Sequence, residues 1–479
     1  MNLSLPVRVL RALSAGTSVV VLGLSLYSAP TSGDWQPGRL EPRVVCQNDP
    51  TQSYALYLPS NYDPSRKWPI LFAFDPAAQG ARPVEIFRKA AEEHGYIVVC
   101  SNNSENGPGE LIQRAMVALW NDTQARLSID PNRIYTAGLS GGAWPALWLA
   151  RTARGAGLVL CSSPLTPERF DLDHKGRVVF GTAGASDFNY PYVQALCEAL
   201  EKRGEPSRFE AFEGGHSWLP EALAAHALDT FEVYAMRWGL RQTDSQLVET
   251  LYRRALERAQ QLEASGKVHE AGHAYRAASR DFDGIRASVD LAAKASALES
   301  SREFKDATKR DRRMAQAQEE RLGTLAGYRS VLENPGPTAA IELQEPLAAL
   351  QRIRAEIKDL EKRTKDGPED GRLLAQRVLS AFYLETWLTG KEHLFRSEFK
   401  EAITNFDICA IMRPKAPFLH YEWGRLHALR GEPSKALESL ARAVEYGFTS
   451  AQRLDEDKAF DGLRETAEFQ RLVAKLRDR

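Results

Sequence analysis

The chain has 479 residues, with 62 basic and 63 acidic side chains and a formal net charge of −1. Its length predicts two or three domains, because an ordinary domain contains about 100–200 residues. The balanced charge, with no basic tail or aromatic-basic stripe, excludes a dedicated nucleic-acid binder. The cysteines show no zinc-ligand spacing and are expected to be small buried side chains, with one disulfide left open if the chain is exported. They are Cys46, Cys100, Cys161, Cys197 and Cys409.

The N-terminal segment has the outline of an export signal. Arg8 and Arg11 precede the apolar run 19–27, VVVLGLSLY, and a basic stretch before an apolar core of ~7–15 residues is typical of a secretory signal. The run is shorter than the ~20 apolar residues of a membrane span. We therefore expect residues 1–33 to be a signal peptide or an N-terminal anchor. The protein is expected to be periplasmic or extracellular, with membrane attachment only through an uncleaved N-terminal segment.

Residues 40–242 alternate short apolar runs with helical segments. Strands that are apolar on both faces and separated by helices predict a mostly parallel sheet covered on both sides. The predicted fold class is therefore α/β, with a doubly wound sheet. The apolar runs lie, in chain order, at 53–59, 69–74, 96–100, 133–138, 157–163, 177–184 and 208–215.

Residues 243–479 lack strand patterns and show a period of 34 residues, since Gly424 follows Gly390 and Ala436 follows Ala402 at that spacing. Small residues at such positions let two antiparallel helices approach closely, which predicts an all-α helical-repeat domain. The repeats resemble tetratricopeptide repeats and are expected to bind a partner protein or to pack on the N-terminal domain. The clearest repeats are 252–285, 383–416 and 417–450.

The stretch GLSGG, residues 138–142, lies between a strand pattern and a helix pattern. A G-x-S-x-G motif in this setting holds its serine in a strained turn, with the positive end of the helix facing the oxygen. Such a serine needs an adjacent base that an acid orients, in the chain order serine, acid, histidine. Asp187 follows one strand pattern and His216 follows the next, so Ser140, Asp187 and His216 are the predicted triad. The rival acids and bases in the sequence are Asp173, Glu213, His174 and His226.

The predicted oxyanion site uses two backbone N–H groups, those of Gly141 and Ala77, because Pro76 carries no N–H. Asp75 is expected to orient this loop. Only about 16 residues, from Ser162 to Arg177, separate the strands predicted by the fifth and sixth of these apolar runs, which leaves no room for a large lid domain at this point and predicts an open cleft. The candidate cleft residues are Asp75, Asn102, Asn103, Trp144 and Trp218.

Taken together, these motifs resemble an α/β-hydrolase, nearest in pattern to compact esterases of the dienelactone-hydrolase, polyhydroxybutyrate-depolymerase and feruloyl-esterase type. The resemblance is carried by YALYLPSNYDPSRKWPILFAFDP, DPNRIYTAGLSGG, GTAGASDFNY and EGGHSW. It implies a serine hydrolase that cleaves carboxylic esters, small or attached to a larger molecule, with Ser140 as nucleophile, Asp187 as acid, His216 as base and no metal or cofactor. The alternatives are a serine peptidase of the prolyl-oligopeptidase type and a repeat-based interaction scaffold with a degenerate hydrolase domain.

Overall fold

The computed structural model describes residues 35–168, 170, 177–333 and 346–477. The N-terminal segment predicted as a signal or anchor lies outside these residues, as do Asp173 and His174. No helix among the described residues is long and apolar enough to cross a membrane. The described residues form two compact units, one that ends at Ala315 and one that begins at Gln316.

One sheet of eight strands organises the N-terminal unit. The strands are β1 (Leu40–Val45), β2 (Ser53–Tyr57), β3 (Trp68–Phe74), β4 (Ile97–Ser101), β5 (Ile129–Leu139), β6 (Gly157–Cys161), β7 (Val178–Gly184) and β8 (Ser207–Phe212). Their order across the sheet is β1-β2-β4-β3-β5-β6-β7-β8. The pairs β1–β2 and β2–β4 are antiparallel, whereas the pairs from β4 to β8 are parallel. The structure therefore confirms the predicted mostly parallel sheet.

Both faces of the sheet are buried. Successive side chains of a strand point to opposite faces, so each strand contributes to two cores. In β3, Ile70 and Phe72 belong to one core cluster, whereas Leu71 and Ala73 belong to the other. Helices cover both faces, as the doubly wound prediction requires. These helices are α1 (Ala81–His94), α2 (Gly109–Arg126), α3 (Ala143–Thr152), α4 (Tyr190–Lys202) and α5 (Glu221–Arg237).

The described chain beyond α5 contains helices and no strand, which confirms the all-helical prediction. The boundary between the two compact units falls within α9. The helices are α6 (Ser245–Ala264), α7 (Val268–Asp281), α8 (Val289–Ser300), α9 (Arg302–Glu333), α10 (Pro346–Asp366), α11 (Glu369–Phe395), α12 (Phe399–Met412), α13 (Pro417–Leu429), α14 (Pro433–Glu445), α15 (Ala451–Glu456) and α16 (Ala467–Arg477).

Two helix pairs in the C-terminal unit pack closely at the small residues of the sequence period. A Cβ atom on Gly390 of α11 would lie 2.7 Å from the ring of Phe406 in α12. A Cβ on Gly424 of α13 would lie 2.7 Å from Leu440 in α14. Each glycine thus makes room for the next helix, which gives the 34-residue spacing a physical reason. Assignment to the tetratricopeptide type stays a prediction.

The helix pair α6–α7 belongs to the same compact unit as the sheet and packs on its edge strand β8. Arg208 of β8 forms a buried ion pair with Asp281 of α7. Tyr234 of α5 donates to the same carboxylate at 2.7 Å. Arg280 of α7 donates to the Ser207 carbonyl of β8 at 2.6 Å. Helix α7 therefore covers this edge strand and pairs with polar groups of β8 that would be unpaired on an exposed edge.

Candidate active site

Ser140 lies at the sharp turn between β5 and α3. Its backbone has φ of 51°, in the left-handed region, and residues 140–142 form one 3₁₀ turn. A residue other than glycine in this region costs about 1–3 kcal/mol, so the surrounding structure must hold it there. The predicted strand-turn-helix setting of the serine is therefore present, and the serine occupies the strained conformation that the motif implies.

Two glycines allow this turn to close. A Cβ on Gly138 would lie 2.3 Å from the Gly142 carbonyl oxygen, and a Cβ on Gly142 would lie 2.1 Å from the Phe74 carbonyl oxygen at the end of β3. Real Cβ atoms do not approach so closely, so larger residues would push the turn away from the sheet. The glycines therefore bring the serine turn against the ends of β5 and β3.

Asp187 and His216 lie beyond the carboxyl ends of β7 and β8, and Ser140 lies beyond the carboxyl end of β5. Because these strands are parallel, their carboxyl ends are on the same side of the sheet, and the three residues are on that side. His216 Nδ1 is 3.2 Å from both Asp187 carboxylate oxygens. The carboxylate is fully buried, and its Oδ1 also accepts the Asn189 backbone N–H at 2.7 Å. This geometry suits an acid that fixes the tautomer and orientation of an imidazole.

Phe188 and Asn189, the two residues after Asp187, also support the histidine. The Phe188 ring stacks on the His216 ring, with centroids 4.4 Å apart and planes 22° from parallel. The Asn189 amide donates to the Ser162 carbonyl at the end of β6 at 2.8 Å. The sequence prediction did not include either residue, although both lie next to a predicted triad member. Asp187 and Phe188 thus contact the imidazole directly, and Asn189 anchors the loop that carries them to the end of β6.

Hydrogen bonds join the loop that carries Asp187 to the loop that carries His216. Ser186 donates to the Gly214 carbonyl through its backbone N–H at 2.9 Å and its hydroxyl at 2.8 Å. The Ala185 N–H donates to the Phe212 carbonyl at 2.8 Å. These bonds fix the separation of acid and base before any substrate binds.

Ser140 and His216 are not hydrogen-bonded in the part of the chain that the structure describes. Hydrogen bonds between catalytic groups are often long without substrate and shorten when substrate binds. The structure thus brings acid and base together directly, and it places the serine at the same carboxyl-end side of the sheet.

The loop after β3 is organised by Asp75, whose side chain is buried. Its Oδ1 accepts the N–H of Ala77 at 2.8 Å and that of Gln79 at 3.2 Å. Its Oδ2 accepts the indole N–H of Trp218 at 2.7 Å. Asp75 therefore orients the loop, in line with its predicted role. The Ala77 amide, the predicted second oxyanion donor, is already bonded within the loop, and that assignment stays a prediction.

The predicted cleft residues differ in their surroundings. Trp218 is only 3% exposed and packs edge-on against Phe87, so its ring lies in the core rather than along an open cleft. Asn102 Nδ2 donates to the Pro42 carbonyl at 3.1 Å. Asn103 Oδ1 accepts the Ser53 N–H at 2.8 Å. These two asparagines thus brace the β4 end against β1 and β2. Trp144 is partly buried against the core.

Asn106, three residues beyond Asn103 on the same loop, lies directly against the serine turn. A Cβ on Gly141 would be 2.1 Å from Asn106 Oδ1 and 2.6 Å from its Nδ2. The Asn106 N–H donates to the Pro76 carbonyl at 2.9 Å. Sequence reasoning selected this polar loop but not this residue, because nothing in the loop's composition tells which amide meets the serine turn.

The described rival residues have other partners. His226 pairs with Glu210 of β8 at 2.8 Å and packs edge-on against Phe180. Glu213 is exposed and lies 3.7 Å from Lys267. Within the described residues, no three His, Cys, Asp or Glu side chains form a group that could hold a metal ion.

No family model matches the sequence, and no curated protein matches it. Solved structures are similar to the N-terminal part. An S-formylglutathione hydrolase from Staphylococcus aureus is 14% identical with a TM-score of 0.33, and the match covers 42% of this chain and 96% of that chain. A ferulic acid esterase from Anaeromyces mucronatus is 14% identical with a TM-score of 0.32, over 39% of this chain and 86% of that chain. Thermogutta terrifontis esterase 2 is 14% identical with a TM-score of 0.33, over 44% and 98%.

Residues 40–237 have the α/β-hydrolase fold. The strand order, with antiparallel pairing only at β1 and β2, and the strained serine turn after β5 decide this from the structure itself. The hydrolase fold predicted by the motif resemblance is thereby confirmed, and the assignment of a reaction depends on the chemistry of the site.

Proposed function

We propose that the chain is a serine hydrolase that cleaves carboxylic esters. The observation that carries the proposal is the strained Ser140 turn on the same sheet edge as the Asp187–His216 pair. Strain at a non-glycine residue persists only where the surroundings enforce it, and it concentrates at functional sites. A buried carboxylate held on an imidazole is the arrangement that activates a serine.

The proposed reaction is acyl transfer. The Ser140 hydroxyl attacks the ester carbonyl carbon while His216 Nε2 accepts its proton. Asp187 stabilises the resulting imidazolium through Nδ1, and the backbone N–H of Gly141 stabilises the oxyanion. The imidazolium then protonates the leaving alcohol, and water attacks the acyl-enzyme by the reverse sequence of proton transfers.

The proposal also covers localisation. The basic and apolar N-terminal sequence supports export to the periplasm or the cell exterior, with residues 1–33 as signal or anchor.

The helical repeats are proposed to bind a protein partner. Three apolar side chains of α11 and α13 are exposed and available for contact with a partner. They are Phe395, 79% exposed, and Phe418 and Leu429, each 47% exposed.

A labelling experiment tests the nucleophile. A fluorophosphonate probe should modify the full-length protein once, and peptide mass spectrometry should locate the label on Ser140. A panel of p-nitrophenyl esters and matched dipeptide p-nitroanilides should then show turnover of the esters. Turnover of the amides alone would support the peptidase alternative instead, and failure to label Ser140 would contradict the proposed nucleophile.

A further inference from the structure

The loop that follows β4 contacts both segments that enclose the expected oxyanion position. One segment is the serine turn, where Gly141 lies against the side chain of Asn106. The other is the loop after β3, where the Pro76 carbonyl accepts the Asn106 backbone N–H at 2.9 Å. Asn106 is therefore fixed by its backbone on one side and lies against the serine turn with its carboxamide on the other.

The loop after β3 has few N–H groups to offer an oxyanion. Pro76 has none, and the Ala77 N–H donates to Asp75 Oδ1 at 2.8 Å. The Ala78 N–H donates to the Asp75 carbonyl at 3.0 Å. An oxyanion needs more than one preorganised donor for strong stabilisation. The Gly141 amide accounts for one, and this loop gives its nearest amides to Asp75.

A carboxamide has the chemistry to supply the missing donor. Its NH₂ group carries two N–H donors and no charge, so it can stabilise a developing negative charge without being titrated itself. Both ends of the Asn106 carboxamide lie close to Gly141, with Oδ1 and Nδ2 within 2.6 Å of the position of a Cβ there. The residue is also solvent-exposed, so a bound ester can reach it. Glycine at position 141 leaves room for this approach, because a side chain there would displace the amide.

We propose that Asn106 is a catalytic residue whose Nδ2–H group donates to the oxyanion beside the Gly141 backbone N–H. The inference rests on the proposed serine-esterase function and extends it. The group acts on the tetrahedral intermediate and not on the ground-state ester, so its loss lowers kcat far more than it changes KM.

The test uses two substitutions in the full-length protein, with p-nitrophenyl butyrate as substrate. Asn106→Ala removes the carboxamide, and Asn106→Asp keeps the shape and an acceptor oxygen but removes both N–H donors and adds a negative charge. Each should lower kcat by about 10²-fold with KM within about threefold of the wild type, because one oxyanion donor contributes on this order. Gly107→Ala is the matched control: a Cβ there meets nothing closer than the Glu105 carbonyl oxygen at 3.8 Å, and kcat should be unchanged.

Two results would overturn this inference alone: kcat of both Asn106 variants within about threefold of the wild type, or an Asn106→Asp variant that keeps wild-type kcat. The second result would show that shape matters and the donor does not. Ser140→Ala separates the inference from the function on which it rests. If wild-type protein has no esterase activity, or Ser140→Ala keeps that activity, the proposed function fails and the Asn106 role fails with it.

Discussion

The indole N–H of Trp218 donates to the buried carboxylate of Asp75 at 2.7 Å, across 143 residues of sequence. The bond joins the loop after β3, expected to line the oxyanion site, to the loop that carries His216. The other carboxylate oxygen of Asp75 accepts hydrogen bonds from the Ala77 and Gln79 backbone N–H groups, so one carboxylate fixes two loops of the site. Asp75 is thus a positioning residue, and its contribution can be measured as a change in the free energy of unfolding.

Asp75→Asn should lower the free energy of unfolding by about 1–3 kcal/mol. The substitution replaces one acceptor oxygen by an NH₂ group, so a buried N–H donor of Ala77, Gln79 or Trp218 loses its acceptor. Urea denaturation followed by circular dichroism measures the change. Trp218→Phe leaves Asp75 Oδ2 without this donor and leaves a gap in the core, so its cost should be comparable or larger. Equal stability of Asp75→Asn and wild type would contradict the loop-fixing role.

Phe188→Leu should lower kcat for ester hydrolysis by about three- to tenfold. The substitution removes an aromatic ring stacked on His216, and such a pair contributes about 0.5–1.5 kcal/mol beyond the area that it buries. Steady-state kinetics with p-nitrophenyl butyrate measures the change, and Phe188→Tyr, which keeps the ring, is the control. If the leucine and tyrosine variants have the same kcat, stacking does not contribute to catalysis.

Truncation should separate the hydrolase fold from its helical support. A chain that ends at Gln242 lacks α6 and α7, so β8 becomes an exposed edge strand, and Arg208 and Tyr234 lose Asp281 as a partner. Val233 and Met236 of α5 would also lose their packing partners in α6. We expect this chain to be insoluble or unfolded, and a chain that ends at Ala315 to be soluble and cooperatively folded. Size-exclusion chromatography and thermal melts compare the two, and a stable folded chain ending at Gln242 would contradict this expectation.

Acid should destabilise the N-terminal unit partly through His273. Burial, followed by the charge of Arg276 and the neighbouring His269, lowers the pKa of His273 from 6.5 to about 3. The geometry agrees, because an Arg276 N–H group lies 2.6 Å from His273 Nδ1 and a neutral imidazole can accept it. Because the folded pKa lies below the unfolded one, the unfolded chain binds the proton first as pH falls. The stabilisation is therefore complete above about pH 6.5 and declines steadily from there towards pH 3.

Between pH 7 and pH 5, His273 alone should cost on the order of 1–2 kcal/mol of unfolding free energy. His273→Asn removes the titrating group, so the unfolding free energy of this variant should fall less over the same interval. Urea denaturation at several pH values measures both proteins. Parallel curves for variant and wild type would show that His273 does not titrate between the folded and unfolded states.

The sheet and the site framework were predictable because they follow local rules. Apolar runs between helical segments indicate buried parallel strands, and the glycines around Ser140 mark a turn that only small residues can form. Asp187 and His216 were found because each follows a strand of a fold with a known chain order. Each of these features depends on one short stretch of sequence, a strand and the loop or turn that follows it, and patterns are informative at that range.

The long-range contacts were not predictable in the same way. The approach of Asn106 to Gly141 depends on the conformation of three loops, and the Arg208–Asp281 pair joins positions 73 residues apart without any periodicity. The engagement of Ala77 had a readable signal, because aspartate side chains often accept the N–H two residues further on. The bond shows that Ala77 meets Asp75 first, whatever Pro76 lacks.

Steady-state hydrolysis of p-nitrophenyl butyrate by wild type and Ser140→Ala tests whether Ser140 is the nucleophile. Both proteins should show the same thermal melt, because the serine hydroxyl is not needed for folding. We expect hydrolysis by the wild type and a loss of about 10⁴-fold or more in kcat for the variant, on the scale expected when a triad nucleophile is removed. A Ser140→Ala protein that is folded and hydrolyses the ester at the wild-type rate would contradict the assignment of Ser140 as the nucleophile.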